Sequence, residues 1–280
     1  MPYKNAGFRA CFKKINFKNI DSFKIKSNSS LKKFAAYMEQ DDFLKQKLDV
    51  KAFQVAIEAG LYFESNIPQG YGLGSSGALV AAIYDSYFVD RKKNMQYADL
   101  QVILAILEGY FHGKSSGFDP VVCYLDRAIL KSSTSLEILE LDGIRKADNA
   151  YQLFLLNTQK ARKTEPLVQL FLDKCKKDKI FKQLCAKELV LYNDNCIEAY
   201  LTNNEALLWE NMRNLSAFQA KYFGAMIPDF LVKIWQEGLE SNDFYLKLCG
   251  AGGGGFMLGL GKREFLARKK RLMNMEIHLF

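Results

Sequence analysis

Histidine, proline and paired cysteine are scarce in this 280-residue chain, and each scarcity narrows its chemistry. Two histidines, His112 and His278, exclude a multi-histidine metal centre and leave a Ser-His-Asp hydrolase dependent on one of them. The six cysteines (Cys11, Cys123, Cys175, Cys185, Cys196, Cys249) contain no C-x-x-C pair, which excludes a disulfide scaffold and the spacing of a structural zinc site. Reduced thiols are expected. No apolar run reaches the ~18 residues of a membrane span, and the opening MPYKNAGFRACFKK lacks the apolar core and small-residue cleavage site of a secretion signal. A soluble, cytoplasmic chain is expected. With 5 prolines, 19 glycines and 49% apolar residues the composition is globular, and the length predicts two domains at ~150 residues each.

The net charge of +8 is uneven, because the first fifty residues hold eleven Lys/Arg against Asp21, Glu39, Asp41, Asp42 and Asp49. Such a face attracts anions. The lysines nevertheless alternate with apolar residues in FRACFKKINFKNIDSFKIK, which predicts one or two half-exposed strands followed by an amphipathic helix near Ser30 to Met38. No nucleic-acid-binding motif accompanies the charge, so no nucleic-acid partner is expected.

A further strand is expected from Ala52 to Phe63, stopped by Pro68 and the glycines at 70, 72 and 74. Ser75 or Ser76 is placed to cap a buried helix with the body ALVAAIYDSYFV. A second helix spans Tyr97 to His112, with Leu100, Ile103, Leu104 and Leu107 on one face. The chain turns polar between Ser132 and Asn149, which sets the expected domains at 1–148 and 149–280. The second opens with the strand YQLFLLNT, continues in helices from Glu165 to Glu240 and closes with a strand pair in FYLKLCGAGGGGFMLGL. The expected class is a two-domain α+β protein.

Three loops are candidates for chemistry. In IPQGYGLGSSG (67–77), glycines free the backbone amides to face a ligand, and the following helix start adds partial positive charge, which suits a phosphate. Gly72, Gly74 and Gly77 also satisfy G-x-G-x-x-G, with Asp90 at the place of a ribose-binding acid, but Pro68 and the lack of a leading βαβ unit argue against a dinucleotide fold. In EGYFHGKSSGFD, Glu108 and His112 share a helix face and Asp119 follows on a tight loop. Glu108 suits Mg²⁺, and Asp119 suits taking a proton from a hydroxyl. In KLCGAGGGGF (247–256), four consecutive glycines weaken a strand pair unless something approaches the backbone closely, which makes this a second phosphate- or substrate-facing loop.

Together IPQGYGLGSSGA, HGKSSGFDP and KLCGAGGGGF resemble, in order and spacing, the GHMP kinase superfamily, and most closely its mevalonate kinases. There P-x-G-x-G-L-G-S-S-A forms the phosphate loop, and a Glu precedes H-G-x-x-S-G-x-D by four residues. A fourth segment, NTQKARKTEPLV (157–168), is similar to the family's N-T-x-x-x-R-x-T-x-x-L-V. The resemblance implies the family's fold: an N-terminal domain like domain 2 of ribosomal protein S5, and a ferredoxin-like C-terminal domain. It implies ATP held by Gly70, Gly72, Leu73, Gly74, Ser75, Ser76 and Gly77, and Mg²⁺ held by Ser76 and Glu108. Asp119 would be the catalytic residue, acting on the acceptor hydroxyl. His112, Ser116, Gly117, Arg162, Thr164, Gly250, Ala251, Gly252 and Gly253 would contact the substrate. The implied activity is ATP-dependent phosphorylation of the 5-hydroxyl of mevalonate in isoprenoid precursor synthesis. The alternatives are another GHMP kinase acting on phosphomevalonate, homoserine or a sugar, or a non-catalytic nucleotide- or metabolite-binding member; a homodimer is left open.

Two departures from the family pattern stand out. Gly77 occupies a position usually held by Ala, which should loosen the helix start by ~1 kcal/mol. The family's first strand, carrying K-x-[IL]-L-x-G-E-[YH] with a lysine that approaches the catalytic Asp, has no counterpart, so a missing first motif and reduced activity are expected unless Lys114 substitutes.

Overall fold

The computed structural model describes residues 9–16, 21–89, 97–132, 136–139, 149–161, 164–268, 271–272 and 275–279. The chain divides into two compact units, one of residues 1–69 and 74–140, the other of 70–73 and 141–280.

In the first unit β1 (Ala10–Lys14) leads through the described residues to α1 (Ser22–Glu39), α2 (Asp42–Lys47) and α3 (Val50–Glu58). An aspartate starts each of these helices: Asp21, Asp41 and Asp49 accept from the amides of Lys24, Leu44 and Ala52 at 2.8–2.9 Å. These caps correct two sequence expectations. The stretch SFKIK, whose alternation suggests a strand, is the first turn and more of α1, and its Phe23 and Ile25 face solvent. Residues 52–58, expected in a strand, lie in α3, and the strand proper, β2 (Leu61–Ser65), begins only after a turn at Gly60 with φ 89°. Period two and period 3.6 are hard to separate over so short a stretch, and the capping aspartates decide it.

β2 pairs antiparallel with β1, Phe63 opposite Phe12. α1 docks on this hairpin through polar groups: Ser27 Oγ donates to the Phe63 carbonyl at 2.8 Å and accepts from its amide at 3.0 Å, and Asn28 Nδ2 donates to the Ile57 and Leu61 carbonyls. The chain continues through α4 (Ser75–Tyr87), α5 (Tyr97–His112), α6 (Phe118–Leu125) and the hairpin β3 (Ala128–Lys131) and β4 (Leu136–Leu139). The core collects Phe34 and Met38 of α1, Phe53 of α3, Val80 and Ile83 of α4, Ile103 and Leu107 of α5, and Val121 of α6. α5 keeps the expected bounds, with Leu100, Ile103, Leu104 and Leu107 buried.

The second unit opens with β5 (Tyr151–Asn157) and passes through α7 (Thr164–Lys177), α8 (Lys179–Leu184), a π-helical turn at Cys185–Leu189, α9 (Val190–Leu201), α10 (Glu205–Tyr222) and α11 (Asp229–Ser241). It ends with β6 (Phe244–Leu248), β7 (Phe256–Lys262), α12 (Arg263–Arg268), β8 (Arg271–Leu272) and β9 (Met275–Leu279). The strands form one antiparallel sheet in the order β6-β7-β5-β9-β8. Phe154 of β5 lies over Gly259 of β7, where an added Cβ would meet the ring at 2.1 Å. The glycine makes room for a fully buried aromatic whose burial contributes on the order of 2–3 kcal/mol. Leu231, Ile234 and Trp235 of α11 complete this core with Phe244, Leu246 and Met257, and Gln219 Oε1 of α10 accepts from the Leu248 amide at 2.8 Å. No helix of the described residues is long and apolar enough to cross a membrane.

Candidate functional site

The site in the first unit is built where α4 and α6 begin and α5 ends. Gly74 takes the N-cap position of α4 with φ 66°, and no side chain caps the helix. This differs from the expectation that Ser75 or Ser76 is the cap, because the Ser76 hydroxyl is directed elsewhere. It donates to Oε1 of Glu108 at 3.0 Å. Glu108 sits in the last turns of α5 and is only 4% exposed. Its second oxygen, Oε2, accepts from Ser115 Oγ at 2.5 Å, and Ser115 Oγ in turn accepts from the Gly117 amide at 3.0 Å.

Gly117, with φ 73°, starts α6. An added Cβ there would meet the Gln101 carbonyl oxygen of α5 at 2.5 Å, so the turn can press against α5 only as glycine. Gln101 Nε2 donates to the Ser116 carbonyl at 2.7 Å and holds the same turn from outside. Asp119 follows in the first turn of α6 with its side chain exposed, where the helix dipole favours a carboxylate. Its backbone backs onto α4, since a Cβ on Gly77 would lie 2.8 Å from the Asp119 carbonyl carbon and the Pro120 nitrogen. One turn later the Cys123 thiol reaches the Gly74 carbonyl at 3.9 Å, a weak contact. Burial, with Asp119 and Glu108 nearby, pushes that thiol up to about 12, so it is no nucleophile at neutral pH.

Glu108 has no lysine or arginine ion partner among the described residues. Removing a carboxylate from water costs several kcal/mol, and hydrogen bonds to a charged group return about 1.5–3 kcal/mol each. Two neutral hydroxyls therefore leave room for a cation to contribute. The described residues contain no group of three His, Cys, Asp or Glu side chains placed to hold a metal ion. Mg²⁺ needs no such group, because it takes one or two carboxylates and fills its octahedron with phosphate oxygens and water. The donors present fit it.

In the second unit the glycine turn after β6 is packed against its own backbone. The Gly253 amide donates to the Met226 carbonyl and the Gly255 amide to the Lys160 carbonyl, both at 2.7 Å, and the Phe256 amide donates to Tyr71 at 3.2 Å. Thr158 holds the Gly255 carbonyl through its amide at 3.0 Å and its hydroxyl at 2.6 Å. A Cβ on Gly252, Gly254 or Gly255 would approach a carbonyl oxygen to 2.4–2.5 Å. Close backbone approach accounts for glycine at 252, 254 and 255.

The structure thus gathers Gly74, Ser76, Gly77, Glu108, Ser116, Gly117 and Asp119 within the first unit, Ser75 lying in the opening turn of α4. Gly70, Gly72 and Leu73 belong to the second unit together with Gly250, Ala251, Gly252 and Gly253. Arg162 and the side chains of His112 and Thr164 lie outside the described residues. Ser115 carries no role in the sequence reading, although a serine two residues before a turn glycine is a recognisable signal for a side-chain-to-backbone turn.

Residues 30–127, from α1 to just past α6, match the family model described as GHMP kinases N terminal domain. The chain carries the N-terminal domain of the GHMP kinases. Beyond that domain the likeness is structural. L. major mevalonate kinase, solved in complex with R-mevalonate, is similar over 89% of this chain and 73% of its own, with a TM-score of 0.58 and 16% identity. Lactococcus lactis galactokinase, solved with galactose, is similar over 74% of this chain at a TM-score of 0.52 and 16% identity. This chain covers 62% of that galactokinase, less than two thirds of its length. At such identity the likeness establishes the fold, the α+β GHMP kinase fold. A search of curated protein sequences finds no match.

Proposed function

We propose that this chain is an ATP- and Mg²⁺-dependent kinase of a small-molecule alcohol, with the 5-hydroxyl of mevalonate as the first acceptor to test. The observation that carries the reading is the buried Glu108 carboxylate, tied by Ser76 to an uncapped helix start and linked through Ser115 to the turn that begins α6. GHMP kinases as a class transfer phosphate to hydroxyl groups.

In this reading the amides of the opening turn of α4, preceded by Gly70, Gly72, Leu73 and Gly74, hold phosphate oxygens. Ser76 and Glu108 hold the cation. Bound Mg-ATP supplies the phosphoryl group and the charge neutralisation that such transfer requires. Asp119, exposed in the first turn of α6, orients the acceptor hydroxyl and takes its proton. The packing of α6 on Gly77 fixes where that carboxylate stands. By the family resemblance, His112, Ser116, Gly117, Arg162, Thr164, Gly250, Ala251, Gly252 and Gly253 contact the acceptor. Of the two similar solved structures, one was solved with R-mevalonate and the other with galactose, which supports a polar, hydroxylated acceptor and favours assaying both.

The test is Mg-ATP-dependent transfer to mevalonate, phosphomevalonate, homoserine and galactose, with Asp119→Asn in parallel. Transfer to one of them, falling by about 10³-fold in the variant, is the expected outcome, since a positioned base contributes 10²–10⁴. Nucleotide binding with no transfer to any acceptor would make this a binding protein and overturn the reading.

A further inference from the structure

Ser115 is a residue to which neither the family pattern nor the proposed mechanism assigns a task, yet it occupies a junction. Its hydroxyl accepts from the Gly117 amide at 3.0 Å and donates to Glu108 Oε2 at 2.5 Å, while Ser76 donates to the other oxygen at 3.0 Å. An unbroken run of hydrogen bonds therefore links the start of α6, which carries Asp119, to the first turn of α4, by way of a carboxylate that is 4% exposed. We propose that Ser115 is a positioning residue for the cation: it fixes the rotation of the Glu108 carboxylate so that this group meets Mg²⁺ already aligned. The proposal rests on the kinase reading and extends it to a residue that need not touch the metal.

The chemistry of Mg²⁺ makes such alignment matter. The ion demands near-ideal octahedral geometry and gives up water reluctantly, whereas Ca²⁺ accepts irregular coordination. A carboxylate free to rotate about its last bond presents the correct oxygen only part of the time. A hydroxyl on one oxygen, itself oriented by the Gly117 amide, removes that freedom. Hydrogen-bonding partners of metal ligands of this kind commonly contribute 10–100-fold in metal affinity.

The test uses ADP binding by titration calorimetry to the whole chain, with Mg²⁺, with Ca²⁺ and with EDTA. In the native protein Mg²⁺ should tighten ADP. In Ser115→Ala the ratio of affinities with Mg²⁺ and with EDTA should fall roughly tenfold, the Ca²⁺ ratio should fall less, and Ser115→Thr should restore the Mg²⁺ ratio. Each ratio is taken on one protein, so a general loosening of the fold lowers both arms and leaves the ratio unchanged. An unchanged Mg²⁺ ratio in Ser115→Ala overturns the proposal while the kinase reading stands. Equal losses for Mg²⁺ and Ca²⁺, or no rescue by threonine, also overturn it. Absence of Mg²⁺-dependent ADP binding in the native chain overturns the kinase reading and the proposal together.

Discussion

The turn at 250–255 and the opening of α4 are both rich in glycine, yet their backbone amides go to different places. In the turn, the amides of Gly253 and Gly255 are bonded to the carbonyls of Met226 and Lys160, and the glycines let main chain meet main chain. At α4, Gly74 holds the left-handed cap position and no side chain caps the helix. Equal composition thus serves packing in one unit and, in the other, starts a helix that no side chain caps. A glycine count in the sequence cannot distinguish the two, because the difference lies in which carbonyls come near.

Substituting one glycine in each place is the sharpest way to break this comparison. Gly255→Ala forces a side chain onto φ 73° and puts its Cβ 2.5 Å from the Tyr71 carbonyl oxygen. The left-handed conformation alone costs about 1–2 kcal/mol, and the backbone clash should raise the total to ~3 kcal/mol or more in urea unfolding. A loss below ~1 kcal/mol would mean that the turn yields easily and that its glycines are kept for something other than packing.

Gly77→Ala should behave differently. Its conformation is helical, so alanine by itself would add about 1 kcal/mol of helix stability. The new Cβ, however, would lie 2.8 Å from the Asp119 and Pro120 backbone, and α6 must move to admit it. The expected result is a net loss of about 1–2 kcal/mol, and a fall in phosphate transfer of ~10-fold or more, because small displacements of a reacting group are costly. Gly113→Ala is the control. It has φ 71° but nothing within 4 Å of an added Cβ, so it should lower stability by a similar amount and leave transfer nearly intact. If the two variants lose activity equally, contact between Gly77 and α6 does not set the place of Asp119.

Gly77 also illustrates how far the sequence could be read. Its departure from the family's alanine was visible, and the expected consequence was a looser helix start. The structure instead makes the missing methyl the condition for α6 to sit against α4, a tertiary fact with no local signature. Much else was legible. α5, with its apolar face and its Glu108, follows from periodicity alone, and the glycine loops and α4 follow from glycine placement and the motif order; α6 does not, since the sequence puts Asp119 on a tight loop and the structure puts it in the first turn of that helix. The structure departs from the sequence at α1 and α3, where short runs alternate and capping aspartates choose the helix, and at the start of α4, where Gly74 takes the cap position in place of a serine. Nothing in the sequence couples Ser115 to Glu108 seven residues before it, and only the turn at Gly117 brings the two together.

The smallest effect concerns Cys123 of α6, whose thiol makes a weak contact with the Gly74 carbonyl at the start of α4. Its thiol is raised from 9.0 to about 12, first by burial and then by the carboxylates of Asp119 and Glu108. A thiol raised in the folded state is neutral in both states below pH 9. Above that the unfolded chain ionises first, so the stability this group contributes is lost as pH rises from about 9 toward 12. By pH 10 the loss should be about 1 kcal/mol. Urea unfolding of the native chain and of Cys123→Ala at pH 8 and pH 10 isolates it, because Tyr37, Tyr87, Cys185 and Cys196, all pushed up by burial, are common to both proteins. The native chain should lose about 1 kcal/mol more than the variant over that interval. Equal losses would mean that water reaches Cys123 in the folded chain, and that α6 is held to α4 by the Gly77 contact and the Tyr84–Tyr124 and Val121 packing rather than by this thiol.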